Sequence, residues 1–305
     1  MPKRNTKVVV TGGAGFIGSH IVDAALERGW DVHIIDNMSG GKKERINKKA
    51  HFHKVDIRDL EDIKPIIKGA KYVFHTAAVP RVPYSIEHPL ETHDHNVNGT
   101  LNVLVASHEG KVGKVIYSAS SSAYGDQETM PLVETMPTDP KSPYGLQKYI
   151  GEQKCRVWSS VYGLPTVSLR YFNVYGSRLD PEGAYALVIG KFLKQKSEGE
   201  PLTITGDGTQ TRDFTHVNDV VRANLLAAES DKVGKGEVFN IGFGKRTSIN
   251  DLAKLMGGKS VYVEARLEPH DTEADHTKAK KILGWEPEVS LEEGIAELKE
   301  EWDLI

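Results

Sequence analysis

The sequence predicts an α/β protein: a doubly wound parallel sheet with a smaller lobe interleaved toward the C-terminus. Three observations predict it. Short β-branched runs alternate with helical patterns through the first half of the chain. The first of these units is strand, glycine-rich turn and helix, and the next strand ends in an acidic residue. After Tyr175 the rhythm changes to shorter, irregularly ordered elements.

The elements follow in order. Lys7 to Thr11 is a β-branched run, then come glycines, then an apolar-periodic helix from Phe16 to Arg28. A second strand, Asp31 to Ile35, ends at Asp36. A third, His51 to Val55, runs into Asp56-Ile57-Arg58-Asp59, and a fourth, Tyr72 to His75, into Thr76-Ala77-Ala78. A fifth, Lys114 to Tyr117, leads into Ser118-Ala119-Ser120-Ser121-Ser122, and a sixth spans Thr166 to Arg170. Between them Val97, Leu101, Leu104 and Val105 keep helical spacing, and Leu146, Ile150, Val157 and Val161 give a second helix one apolar face. Gly176 to Gly183 reads as a loop, Ala184 to Ser197 as a helix, Pro201 to Gly208 as a strand and turn, and Asn218 to Ala228 as a helix. Val238 to Ile241 is a strand able to rejoin the sheet. Beyond Ser248 come short helices and one strand, Val261 to Glu264.

The 305 residues carry 39 Lys plus Arg against 42 Asp plus Glu, a net charge of −3, which excludes nucleic-acid binding driven by bulk basicity. The single cysteine, Cys155, excludes an intramolecular disulfide framework and a multi-cysteine zinc site; it is expected to pack inside a helix. No apolar run approaches the ~18 residues of a membrane span, and the basic N-terminus runs straight into a strand, so a cytoplasmic protein without membrane contact is expected.

Thr11 to Gly18 reads TGGAGFIG, with Gly12, Gly15 and Gly18 at three-residue spacing between strand and helix. The turn must be tight, the backbone must approach a pyrophosphate, and the helix must pack close to the strand. The helix N-terminus then presents free N–H groups and the positive end of its dipole. Asp36 follows 18 residues after Gly18, where a carboxylate takes the adenosine ribose hydroxyls. Asp36 would repel a 2′-phosphate, which favours NAD over NADP, although Lys42, Lys43 and Arg45 are nearby.

Tyr144 and Lys148 stand four apart at the start of a predicted helix and share a face. A phenol near pKa ~10 is a poor base at neutral pH, and a neighbouring ammonium lowers that value. The pair can then take a proton from a sugar hydroxyl while hydride leaves for a nicotinamide. Ser120, at the end of the fifth strand, is placed to hydrogen-bond the reacting hydroxyl.

The order TGGAGFIG, Asp36, DIRD, HTAA, YSASSSAYG, YGLQK, RYFNVYG and GDGTQTRDFTHVND covers nearly the whole chain. It resembles the extended short-chain dehydrogenase/reductases and, within them, the nucleotide-sugar 4-epimerases. The resemblance implies a Rossmann-type NAD-binding domain over residues 1–175 plus about 212–242, and a nucleotide-sugar-binding lobe over 176–211 plus 243–305. It implies that Gly12, Gly15, Phe16, Ile17 and Gly18 hold the pyrophosphate, and that Asp36 and Asn37 contact the ribose, with Ser39 and Gly40 in the following loop. Asp56 and Ile57 match the adenine contact, and Ala77 and Ala78 the strand end beside the cofactor phosphates and ribose. Ser120, Tyr144 and Lys148 match the catalytic trio, Lys148 also matches the nicotinamide-ribose contact, and Tyr171 matches a nicotinamide-side position. Asn173 and Arg212 match contacts to the substrate diphosphate.

The serine run separates related activities. The family's 4,6-dehydratases carry Asp-Glu after the catalytic hydroxyl and its decarboxylases keep a Glu; here Ser121 and Ser122 stand there, which points to an epimerase. The Arg-Pro-Gly-Asp usual before Ala274-Asp275 is replaced by ARLEPHDTE, and a one-residue shift would return Arg266 to the diphosphate. The same count places Thr272 beside the sugar's 2-substituent, where a small residue admits N-acetyl groups. The expected activity is NAD-dependent 4-epimerisation of UDP-glucose and UDP-galactose, extending to UDP-GlcNAc and UDP-GalNAc. The alternatives are another nucleotide-sugar oxidoreductase such as a reductase, which net NADH consumption would reveal, and a non-catalytic NAD-binding scaffold.

Twelve histidines invite a metal. His88, His93 and His95 cluster in sequence and His51 and His53 alternate on a strand, but no carboxylate-supported ligand set stands at a recognised spacing, so no metal is expected. The helices from Leu90 to His108 and Ser142 to Tyr162 carry apolar residues beyond a single stripe, and in the family the equivalent helices form a dimer, so a homodimer is expected.

Overall fold

A computed structural model describes residues 6–181, 187–264 and 271–304. Seven parallel strands form the central sheet: β1 (Lys7–Thr11), β2 (Asp31–Ile35), β3 (His51–His53), β4 (Tyr72–His75), β5 (Lys114–Ser120), β6 (Thr166–Tyr171) and, four short strands later, Lys235–Ile241. The order is that last strand, then β6-β5-β4-β1-β2-β3, so the chain reverses direction between β1 and β4. Ligands of such sheets bind in the crevice outside the strand ends at this switch point.

Helices cover both faces: α1 (Phe16–Glu27), α2 (Leu60–Ile67), α3 (Val82–Glu87), α4 (Pro89–His93), α5 (Gly99–Glu109) and α6 (Pro143–Tyr162) precede α7 (Val188–Ser197) and α8 (Val217–Glu229). Alternation along β1 sends Val8 and Val10 into one core with Ile21, Val22, Val217 and Val220, and Val9 into the other with Ile63, Val103 and Leu104. The four short strands are β7 (Val174–Tyr175), β8 (Leu202–Thr205), β9 (Thr211–Asp213) and β10 (Thr215–His216), which makes Lys235–Ile241 β11. After it come β12 (Arg246–Ser248), α9 (Ile249–Met256), β13 (Ser260–Val263), α10 (Thr277–Leu283) and α11 (Leu291–Glu301). Tyr175, Phe192, Ile204, Leu252 and Ile295 give this region a third core.

Several boundaries differ from expectation. The third strand stops at His53, because Val55 N–H turns back to the His53 carbonyl. The fifth runs on to Ser120, paired with Tyr171 across the sheet, so its polar end is strand rather than loop. The helix expected from Ala184 begins, among the described residues, at Val188. The helix expected over 90–108 is broken by a wide π turn at Asp94–Asn98. The apolar stripe of α6 does not face the core: Leu146, Val157 and Val161 are exposed, while Gln147, Lys148, Glu152 and Cys155 are buried.

Candidate active site

The glycine loop is built by close packing. Gly12 adopts φ +72°, and a Cβ there would meet Ala77 N at 2.7 Å; a Cβ on Gly18 would run into the Gly12 carbonyl. Gly15 differs, because its Cβ would touch only Gly12 O, at 3.1 Å, and otherwise open space. That space lies over the start of α1, whose N-cap Gly15 supplies no side-chain cap and whose first turn holds no acid. The N–H groups of Phe16, Ile17 and Gly18 at the first helical positions have no partner within the helix, and they converge with the dipole on the same spot. The arrangement fits a pyrophosphate.

Beside it, Asp36 is buried at the end of β2. Its two oxygens accept from Ala14 N (3.0 Å) and Met38 N (2.8 Å), which fixes the carboxylate and leaves lone pairs for a vicinal diol. Lys42 and Arg45 do not oppose this reading: Lys42 pairs with Asp180 at 3.4 Å and Arg45 donates to the Arg178 carbonyl at 2.7 Å. Asn37 accepts from Ser39 N and donates to Asp56 at 2.8 Å, with Ser39 and Gly40 exposed beyond it. Asp56 is also held by the Arg58 guanidinium, at 2.9 and 3.0 Å; burial opposes its ionisation, but these bonds hold it well below the usual carboxylate range. Ile57 is buried against Gly99. Ala77 N donates to the Thr11 hydroxyl at 3.3 Å, which brings Ala77 and Ala78 alongside the glycine loop.

Ser120 ends β5, with its hydroxyl bonded to the Ser122 hydroxyl at 3.0 Å. Ser142 caps α6 and Pro143 opens it; this aims Tyr144 and Lys148 back at the strand end. Burial pushes the Tyr144 phenol up to about 12, with a hydrogen bond to Ser120 pulling the other way. Lys148 Nζ donates to the Ser118 carbonyl at 2.7 Å and lies 5.1 Å from the Tyr117 ring centre; burial lowers its pKa to about 8. The trio therefore converges on one strand end. The expected depression of Tyr144 by Lys148 is not seen here: burial sets the shift, only the Ser120 bond opposes it, and Lys148 Nζ is committed to the Ser118 carbonyl.

Tyr171 faces inward. Its hydroxyl bonds Ser118 at 3.0 Å and Asn224, so the core takes up its phenol. On the substrate side, Asn173 sits at φ +28° and donates to the Asp213 carbonyl and to Thr272 Oγ1, at 3.1 and 3.4 Å. Thr272 is thereby placed against Asn173. Arg212 neighbours them on β9, its Nη1 donating to the Thr211 carbonyl. Arg266 lies outside the described residues.

A family model described as the NAD dependent epimerase/dehydratase family matches residues 8–242. The chain belongs to this family. Among solved members, the UDP-glucose 4-epimerase of Thermotoga maritima with UDP-glucose is 42% identical, with a TM-score of 0.93 over 97% of this chain and 98% of that one. The UDP-N-acetylglucosamine 4-epimerase of Methanobrevibacter ruminantium, in complex with UDP-N-acetylmuramic acid, is 38% identical, with a TM-score of 0.93 over 99% of both chains. The UDP-glucose 4-epimerase of Thermus thermophilus, in complex with NAD, is 34% identical, with a TM-score of 0.90 over 97% and 99%.

As a member of the NAD dependent epimerase/dehydratase family, the chain uses NAD, which the loop and Asp36 fit. The structure also shows positioning residues that sequence reading missed. His75 bridges Thr11 (2.7 Å) and Thr100 (2.9 Å); burial drives its pKa down to about 3, so it is a neutral strut. Asn96 clamps both polar groups of the Val79 peptide and donates to Gln147, which donates to Thr92. Ser85 accepts from Tyr144 N at 3.0 Å. Asp213 accepts from the amides of Phe243, Gly244 and Ala274, and so tethers the segment bearing Thr272; burial pushes it up to about 6 against those bonds. These partners pair across the fold, so no local spacing in the sequence signals them. No described helix is long and apolar enough to cross a membrane.

Proposed function

We propose that the chain is a UDP-hexose 4-epimerase working as a homodimer. The observation that carries this reading is the convergence of Ser120, Tyr144 and Lys148 at the end of β5, beside hydroxyls at Ser121 and Ser122 where elimination would need a carboxylate. NAD, held by the glycine loop and Asp36, would supply a reversible hydride acceptor for sugar carbon 4. Tyr144 takes the 4-hydroxyl proton as the carbon is oxidised and gives it back on the way out. Ser120 orients that hydroxyl, and Lys148 supplies the positive charge that favours a phenolate.

The flat 4-keto sugar must then turn over without leaving. Arg212 and Asn173 anchor the diphosphate by charge-assisted and amide hydrogen bonds and leave the sugar loosely held. Thr272, small and placed against Asn173, leaves room for a 2-N-acetyl group, so both plain and acetylated hexoses are substrates. The exposed face of α6 (Leu146, Val157, Val161), with exposed Ile86 and Leu90 on α3 and α4, which pack against α6, supports the dimer.

The test is proton NMR of the purified protein with UDP-glucose or UDP-GlcNAc and no added cofactor. A galacto anomeric signal in either tube is expected. Silence in both tubes, persisting after NAD is added, refutes the reading.

A further inference from the structure

A second constellation lies at the other end of the sheet. Parallel pairing sets His33 opposite His51 and Ile35 opposite His53. Strand alternation puts Asp31 and His33 on one face while Val32 and Ile34 turn into the core. Three imidazoles therefore stack, with ring centres 4.7 Å apart for His33 and His51 and 5.3 Å for His33 and His53. One carboxylate faces two of them: Asp31 is 3.2 Å from His51 Nε2 and 3.6 Å from His33 Nε2. Ligand atoms of Asp31, His33 and His51 all lie within 4.8 Å of one another.

We propose that Asp31, His33 and His51 bind one divalent transition-metal ion of the zinc class, with His53 as the residue that orients His33. The donor set is imidazole and carboxylate with no sulfur, which suits Zn²⁺, Ni²⁺ or Cu²⁺ over Mg²⁺ or Ca²⁺. Three protein ligands leave a position for solvent, and His51 lies open to it, its side chain 62% exposed. His33 Nδ1 is 3.0 Å from His53 Nε2. In the tautomer where Nδ1–H donates, the lone pair on His33 Nε2 points toward Asp31, as ligation requires. Lys7 is the opposing charge; its ammonium is tied to the Lys68 carbonyl at 3.0 Å.

The site sits at the N-terminal ends of β2 and β3. Asp31 is about 16 Å along the strand from Asp36, at ~3.3 Å per residue. The ion would therefore staple the three-residue edge strand β3 to the sheet and take no part in turnover.

The experiment uses the untagged full chain, stripped with a chelator and dialysed against zinc chloride, with bound zinc counted by elemental analysis and thermal unfolding followed in parallel. One zinc per chain and a raised Tm are expected. His51→Ala, on an exposed side chain, should abolish both effects with its metal-free Tm unchanged. His53→Ala should weaken binding about 10- to 100-fold. Wild type without saturable zinc binding, or His51→Ala with wild-type affinity, overturns the site; His53→Ala with unchanged affinity overturns the orienting role.

Discussion

The proposed base must ionise, and the protein makes that hard. A phenol at about 12, as burial leaves Tyr144, is ionised at pH 7 in about one molecule in 100,000, equivalent to about 7 kcal/mol. Lys148, one helical turn further along α6, is the cation placed to offset this. A unit charge at about 4 Å with an effective dielectric near 20 contributes about 4 kcal/mol, about three pKa units. Lys148 is itself lowered to about 8 by burial, so its charge is present below that pH and lost above it. In wild type, kcat/KM should climb with pH as the phenol ionises, then fall above about pH 8 as Lys148 deprotonates, the two apparent values belonging to the pair. Lys148→Met removes the cation at every pH. It should lower kcat/KM about 1000-fold at pH 7 and leave a rate that rises through pH ~10 without falling. Tyr144→Phe should give a floor with no such limb. Initial rates from the anomeric proton signals across about pH 6–10 decide the matter. A Lys148→Met profile with the wild-type fall above pH 8, at whatever absolute rate, refutes the coupling.

Other predictions follow from named contacts. Glu152 and Arg170 form a doubly bonded ion pair, both contacts 2.8 Å, with side chains 2% and 3% exposed. Glu152→Gln should cost about 3–5 kcal/mol, a Tm fall of about 5–8 °C by calorimetry for a chain this long, and a change under 1 °C would contradict it. Thr272→Tyr should remove turnover of UDP-GlcNAc while sparing UDP-glucose in paired NMR assays; equal loss on both would discard Thr272 as the selector. Val157→Glu with Val161→Glu should halve the mass seen by light scattering, and an unchanged mass would place the dimer face elsewhere.

The legible parts of this protein were those encoded over short stretches. The glycine loop, Asp36 and the strand cores needed only local spacing, and β2, β4 and the start of α1 fall where the residues put them. What stayed hidden depends on which strands become neighbours. His51 and His53 alone suggest nothing; the β2–β3 pairing supplies Asp31 and His33 from about twenty residues upstream. The same holds for His75, which needs both Thr11 and Thr100, and for Asn96, whose side-chain partners Val79 and Gln147 come from two separate segments.

Helix α6 shows why pattern and role can diverge. Periodicity gives Leu146, Ile150, Val157 and Val161 one apolar face, and the helix turns Gln147, Lys148 and Glu152, not that face, inward. Each buried polar group has a fixed partner: Gln147 with Asn96 and Thr92, Lys148 with the Ser118 carbonyl, Glu152 with Arg170. Polar groups so buried are tolerated only when satisfied, and their bonds fix the rotation of the helix about its axis. That rotation brings Tyr144 to Ser120 and leaves the apolar stripe unpaired within one chain. One helix thus ties the proposed chemistry to the proposed dimer: a change that rolled α6 to bury its apolar face would withdraw Tyr144 and Lys148 from the strand end at the same time.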